Sequence, residues 1–125
     1  MTGAVLDAGA LIAFERADRA VVAIVHQSLA HGDDLAVPAG VLAQVWRDGR
    51  RQARLARLLG SPVCSVVPLD DSSARHAGQT CGVAGTTDVV DASVVVLARR
   101  LHRPVVTGDV DDMHRLDPSL ELIPI

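Results

Sequence analysis

Short runs of consecutive apolar residues alternate along this chain with longer amphipathic stretches, and no other feature narrows the fold as far. The runs Gly3–Leu6, Leu35–Val37, Val63–Leu69, Pro104–Thr107 and Glu121–Pro124 predict strands. Strands without polar alternation are covered on both faces, as in a parallel sheet packed between helices. The intervening spacing predicts helices over Ala8–Arg16, Asp18–Ala30, Ser72–Cys81, Val89–His102 and Asp111–Leu116. One long helical stretch is expected from Ala39 or Gly40 to Leu59, bent at Gly49 and stopped by Gly60-Ser61-Pro62. Such alternation over 125 residues predicts a single α/β domain spanning 1–125 with a parallel sheet.

In such sheets ligands bind beyond the carboxyl ends of the strands, so the polar residues just after each strand carry the functional question. Asp7 follows the first strand, and Asp109 follows the strand that ends at Thr107. Asp88 and Asp91 open a helix and, three residues apart, share one face of it. Asp111 and Asp112 follow Asp109 closely. Acidic groups from three separate segments are therefore set to converge. Each also has an ordinary structural reading. Asp7 and Asp88 can cap the helices after them, Asp91 complements a helix dipole, and Asp109 suits a turn after Gly108. Asp111 and Asp112 suit a solvated helix start. Taken together, crowded carboxylates cannot all stay ionised without an offsetting charge. A hard divalent cation supplies it, and can polarise a phosphoryl oxygen and activate water for attack on phosphorus.

Composition closes off other chemistries. All 12 basic residues are Arg, which excludes Walker-A phosphate binding, Schiff-base chemistry and a receiver-type phosphoacceptor site, each of which needs Lys. A small phosphatase is also disfavoured, because Asp7 has no second Asp two residues on. The net charge of −3 gives no global basic excess, so nucleic-acid binding has to come from a local patch. Cys64 and Cys81 are expected as buried thiols in a reducing cytoplasm. The five His show no zinc spacing and are expected at the surface or at helix ends. No apolar run approaches the roughly 18 residues of a membrane span. Met1-Thr2-Gly3 lacks the basic start and apolar stretch of a secretion signal, so a soluble cytoplasmic chain without a membrane partner is expected.

Three segments carry a family resemblance: Val5-Leu6-Asp7-Ala8-Gly9-Ala10-Leu11-Ile12-Ala13, Asp88-Val89-Val90-Asp91-Ala92, and Val105-Val106-Thr107-Gly108-Asp109-Val110-Asp111-Asp112. In order and spacing the chain resembles the PIN-domain family, especially the VapC-type toxins of bacterial toxin–antitoxin pairs. The resemblance implies a three-layer α/β/α sandwich around a parallel sheet. It implies Mg2+-dependent, or Mn2+-dependent, endonucleolytic cleavage of RNA. It places the family's first, third and fourth acidic positions on Asp7, Asp91 and Asp109, as catalytic and metal-holding groups. Thr107 matches a position where the family often has Ser or Thr near the metal, and Asp88 and Asp112 stand as supporting residues. The resemblance also implies a homodimer and a cognate VapB-type antitoxin. The chain departs from the pattern at Gln44, which stands where the family usually has Glu. Gln is nearly isosteric but neutral; it can hydrogen-bond a metal water or hold Asp7, but cannot act as a base. Asp48, one turn later, can partly restore the charge. Two readings follow: an active ribonuclease toxin, and a weakened or inactive PIN-fold protein acting by binding antitoxin or RNA.

Arg47, Arg50, Arg51, Arg54 and Arg57 recur at three- and four-residue steps, which on one continuous helix confines them to about a third of its circumference. Functionally this is a phosphate-binding ridge for RNA. Structurally it is a solvated face, or one paired with Asp48 or with another subunit. With Phe14 and Trp46 as the only aromatics, base stacking is not the expected mode, and Trp46 is expected as a core or dimer anchor. Val22, Val25 and Leu29 either complete the core or form a dimer or antitoxin surface.

Overall fold

The computed structural model describes residues 3–125; Met1 and Thr2, on which the secretion-signal reading partly rests, lie outside the described residues. The chain runs β1 (Gly3–Leu6), α1 (Ala8–Glu15), α2 (Arg19–His31), β2 (Asp34–Pro38), α3 (Ala39–Val45) and α4 (Ala53–Leu59). It continues through β3 (Cys64–Val67), α5 (Asp71–Ala84), α6 (Val89–Leu101), β4 (Val105–Thr107), α7 (Val110–Leu116) and β5 (Leu122–Pro124).

The five strands form one parallel sheet in the order β3-β2-β1-β4-β5. Val5 at its centre lies opposite Ala36 of β2 on one side and Val105 of β4 on the other. The chain moves outward from β1 to β3, then returns to lay β4 on the free edge of β1. Right-handed crossovers in these two directions put helices on opposite faces. Accordingly α1 packs with α2 and α4, while α6 packs with α5 and α7. This is the expected α/β/α sandwich. The inner strands β1 and β4 are buried throughout, and β2 is buried from Leu35 to Pro38, which accounts for their apolar runs. Edge strand β3 is shorter than the apolar run Val63–Leu69 and exposes Ser65 and Val66. In α6 every residue from Ala92 to Ala98 is buried, because the helix lies against the sheet and is flanked by α5 and α7.

The long helix expected up to Leu59 does not form. It stops at Val45, resumes at Ala53, and residues 46–52 make a loop. A buried side chain explains the break. Gln52 Oε1 accepts the backbone N–H groups of Arg47 (2.7 Å) and Asp48 (2.9 Å), and Gln52 Nε2 donates to Val45 O (2.8 Å) and Glu15 Oε1 (3.0 Å). One amide thus satisfies backbone groups that continued helix would otherwise have paired. The arginine face is divided with it: Arg47, Arg50 and Arg51 lie in the loop, and Arg54 and Arg57 lie on α4. Helix α5 also outruns its expected end at Cys81. It passes through Gly82 and stops at Gly85, whose φ of 72° makes the left-handed cap.

Val25 joins the core, Val22 is half-buried and Leu29 is exposed. Both cysteines are buried free thiols, and all five His are exposed. Trp46 is not in the core: it is 36% exposed, with its ring laid over Gly49, where an added Cβ would come within 3.0 Å.

Candidate metal centre

The strand order reverses between β1 and β4, and this is where a doubly wound sheet opens a crevice at its carboxyl edge. Asp7 leaves β1 into that crevice, and Asp109 leaves β4 two residues after Thr107. The two exits approach closely because Gly9 and Gly108 face each other. A Cβ on Gly9 would lie 3.4 Å from both Gly108 N and Asp7 Oδ1. Small residues here let the start of α1 and the β4–α7 turn share one crevice.

Asp7 is 3% exposed. Its Oδ1 accepts the N–H of Ala10 at 2.8 Å, so the capping reading holds. Burial pushes its carboxyl above the ordinary range. The Thr107 hydroxyl and the N–H groups of Ala10, Gly108 and Gly9 pull the other way by favouring the anion. Thr107 is itself wholly buried, and its Oγ1 also accepts the N–H of Asp109 at 2.8 Å. One hydroxyl therefore ties the two strand-end aspartates together.

Asp88 caps α6 as expected, accepting the N–H of Asp91 at 3.0 Å. Asp91, half-buried in the first turn, has its carboxyl pushed up to about 7. Burial is the largest cause, followed by repulsion from Asp88, a hydrogen bond to the Asp88 carboxyl, and repulsion from Asp7 and Asp109. Asp109 is raised first by a hydrogen bond to the Asp112 carboxyl, then by burial and by repulsion from Asp112 and Asp7. Carboxyl oxygens of Asp91, Asp109 and Asp112 lie within 4.8 Å of one another. Four aspartates from four positions in the chain thus press negative charge into one crevice. Such a set of hard oxygen donors fits a divalent cation, which is the charge that the raised pKa values of Asp7, Asp91 and Asp109 call for.

A cleft of about 130 Å³ opens beside the cluster, lined by Thr86, Asp88, Asp91, Asp112, Arg115 and Leu116. Arg115 makes no ion pair among the described residues. It is a residue that sequence reasoning passed over, and the one available signal was its spacing three residues beyond Asp112 on α7. Asp112, expected only in support, belongs to the acidic trio itself. Asp111 is exposed and stays outside it. Gln44 sits on α3 with its side chain exposed, and no hydrogen bond among the described residues joins it to any of the aspartates. Arg54 and Arg57 line a different groove, of about 470 Å³, with Phe14, Val22, Leu29 and Leu58.

The family profile described as PIN domain matches residues 4–117. No curated protein matches the chain in sequence. Among solved structures, the chain is similar to VapBC2 from Rickettsia felis bound to a DNA fragment from its promoter, with TM-score 0.75 and 15% identity over 99% of both chains. It is similar to FitAcB from Neisseria gonorrhoeae, with TM-score 0.65 and 20% identity over 95% of each chain. It is also similar to VapBC-5 from Mycobacterium tuberculosis, a member of the VapBC family of toxin–antitoxin systems, with TM-score 0.58 and 22% identity over 100% of both.

Proposed function

This chain belongs to the PIN-domain family, and from that premise we propose that it is a metal-dependent endoribonuclease acting as the toxin of a VapBC-type pair. The observation that carries the reading is the convergence of Asp91, Asp109 and Asp112 within 4.8 Å, with buried Asp7 beside them at the sheet's crevice. Asp7, Asp91, Asp109 and Asp112 would hold Mg2+ or Mn2+. When bound, such a cation neutralises phosphodiester charge and lowers the pKa of a water molecule. The protein's own part is positioning. Thr107 and the backbone N–H groups fix Asp7 and favour its anion against the effect of burial. Asp88 orients the first turn of α6 so that Asp91 faces the crevice. Arg115 supplies a cation in the adjoining cleft for a substrate phosphate.

The antitoxin reading is supported by the groove between α2 and α4. Its apolar floor of Phe14, Val22 and Leu58, with Arg54 and Arg57 beside it, suits an amphipathic segment carrying acidic residues. RNA contact by the loop arginines Arg47, Arg50 and Arg51 remains part of the proposal.

The test is cleavage of RNA by the purified protein with Mg2+ or Mn2+, repeated with EDTA. Cutting is expected with metal and not with EDTA, and Asp91→Asn should lower kcat/KM at least about 100-fold. Cutting that persists in EDTA overturns the metal mechanism. Gln44 favours a second reading, because a neutral amide at the position where the family usually has Glu adds no ligand charge. If the wild type is inert and Gln44→Glu cuts RNA, the natural protein acts by binding.

A further inference from the structure

A second cavity, of about 460 Å³, lies on the same layer as the acidic cluster, between α5, α6 and α7. Its walls include His76, Gln79 and Thr80 from α5, Arg99 and Arg100 from α6, and Leu116 from α7. Leu116 also lines the small cleft that holds Asp91, Asp112 and Arg115. The two depressions therefore adjoin at Leu116. No carboxylate lines the larger one, whereas Asp88, Asp91 and Asp112 line the smaller.

The two arginines of the larger depression are already held in place. Arg99 Nε pairs with the buried carboxylate of Asp117 at 2.7 Å. Arg100 Nη1 donates to Ser73 Oγ at 2.7 Å. Each guanidinium spends one nitrogen on that bond and keeps others for a ligand. Holding them beforehand reduces the rotamer entropy lost on binding. Arg100 lies about 13 Å beyond Asp91 along the α6 axis and about half a turn around it, so a strand touching both has to pass over the helix. The volume is in the range of a nucleotide-sized site.

The geometry points to the α5–α6–α7 groove as the track of the RNA strand flanking the scissile phosphate, with Arg100 and His76 contacting a phosphate a few nucleotides from Asp91. The assignment rests on the ribonuclease reading. It differs from the ridge expected over Arg47–Arg57, because Arg54 and Arg57 sit on α4, in the opposite helical layer.

The test has two arms. In the first, fluorescein-labelled, random-sequence single-stranded RNA of about 12 nucleotides is titrated against the Asp91→Asn protein over a range of salt. The same titration follows with His76→Gln plus Arg100→Gln, and with Arg54→Gln plus Arg57→Gln, each added to that background. The groove pair is expected to weaken binding and reduce the log–log salt slope by about 0.7 for each phosphate contact removed. In the second arm, wild type and His76→Gln plus Arg100→Gln, both with Asp91 intact, cut oligonucleotides of increasing length with Mg2+. KM should fall with length for the wild type, and the groove pair should lose that gain without a matching fall in kcat on the shortest substrate. An unchanged slope and unchanged length dependence, in a protein that still cuts RNA, overturn the groove and leave the nuclease reading intact. A slope that responds only to the α4 pair places the strand on the other layer and also overturns it. A wild type that neither binds nor cuts RNA overturns the nuclease reading, and the groove with it.

Discussion

Asp7 performs a structural and a chemical task with the same carboxylate. It caps α1 through Ala10, and it faces Asp91 and Asp109 across the crevice. Asparagine caps a helix about as well as aspartate, so Asp7→Asn separates the two tasks. The variant should melt close to the wild type yet lose RNA cleavage by about 100-fold or more. Thermal denaturation beside a cleavage assay checks this; unfolding of Asp7→Asn would make the residue purely architectural. Asp7, Asp91 and Asp109 were legible in the sequence because each sits just beyond a strand or at a helix start, where the fold class already says ligands bind. Arg115 was not, since nothing local in Val110–Leu116 tells which face of a short helix looks into the crevice. Asp112 was undervalued for the same reason: a helix-start acid beside Asp109 reads as a solvated cap until the turn after β4 is known.

The loop between α3 and α4 shows how an element escapes periodicity. The arginines keep three- and four-residue steps across a break, so the pattern of one helix and of two helices in similar register is the same. Only the side chain of Gln52 decides, and a glutamine at that position carries no signal until its surroundings are buried. Its removal should be costly. Gln52→Ala leaves the N–H groups of Arg47 and Asp48 and the carbonyl of Val45 without their partner, and should destabilise the protein by about 1–3 kcal/mol. Urea denaturation measures it; a loss below about 0.5 kcal/mol means that other contacts hold the loop. The inner strands were legible because burial on both faces leaves an unbroken apolar run. The ends of β3 and α5 were not. An edge strand can stop pairing where its apolar run continues, and one exposed glycine such as Gly82 costs a helix only about 1 kcal/mol.

Across the whole molecule the acidic crevice couples stability to pH and, on the proposed metal reading, to a bound cation. Asp91 titrates near 7 in the folded protein, against 3.8 for an ordinary Asp, so the folded state holds its proton more tightly. The resulting stabilisation is complete below about pH 4 and is lost as pH rises through about 7. Cation binding runs in the opposite sense, because the carboxylates must first give up their protons. The rise in melting temperature on adding excess Mg2+ should therefore be larger at pH 8 than at pH 6, and should vanish in Asp91→Asn. Equal rises at both pH values would separate metal binding from Asp91. The order in which the four aspartates are translated has its own consequence. Asp7 leaves the ribosome first, while Asp109 and Asp112 follow about a hundred residues later. At about 5–20 residues per second, Asp7 waits on the order of ten seconds for β4 to dock beside β1. A nascent chain thus lacks the assembled crevice until β4 and α7 have been made, and on the proposed ribonuclease reading one that terminates before Val105 is unable to cut RNA.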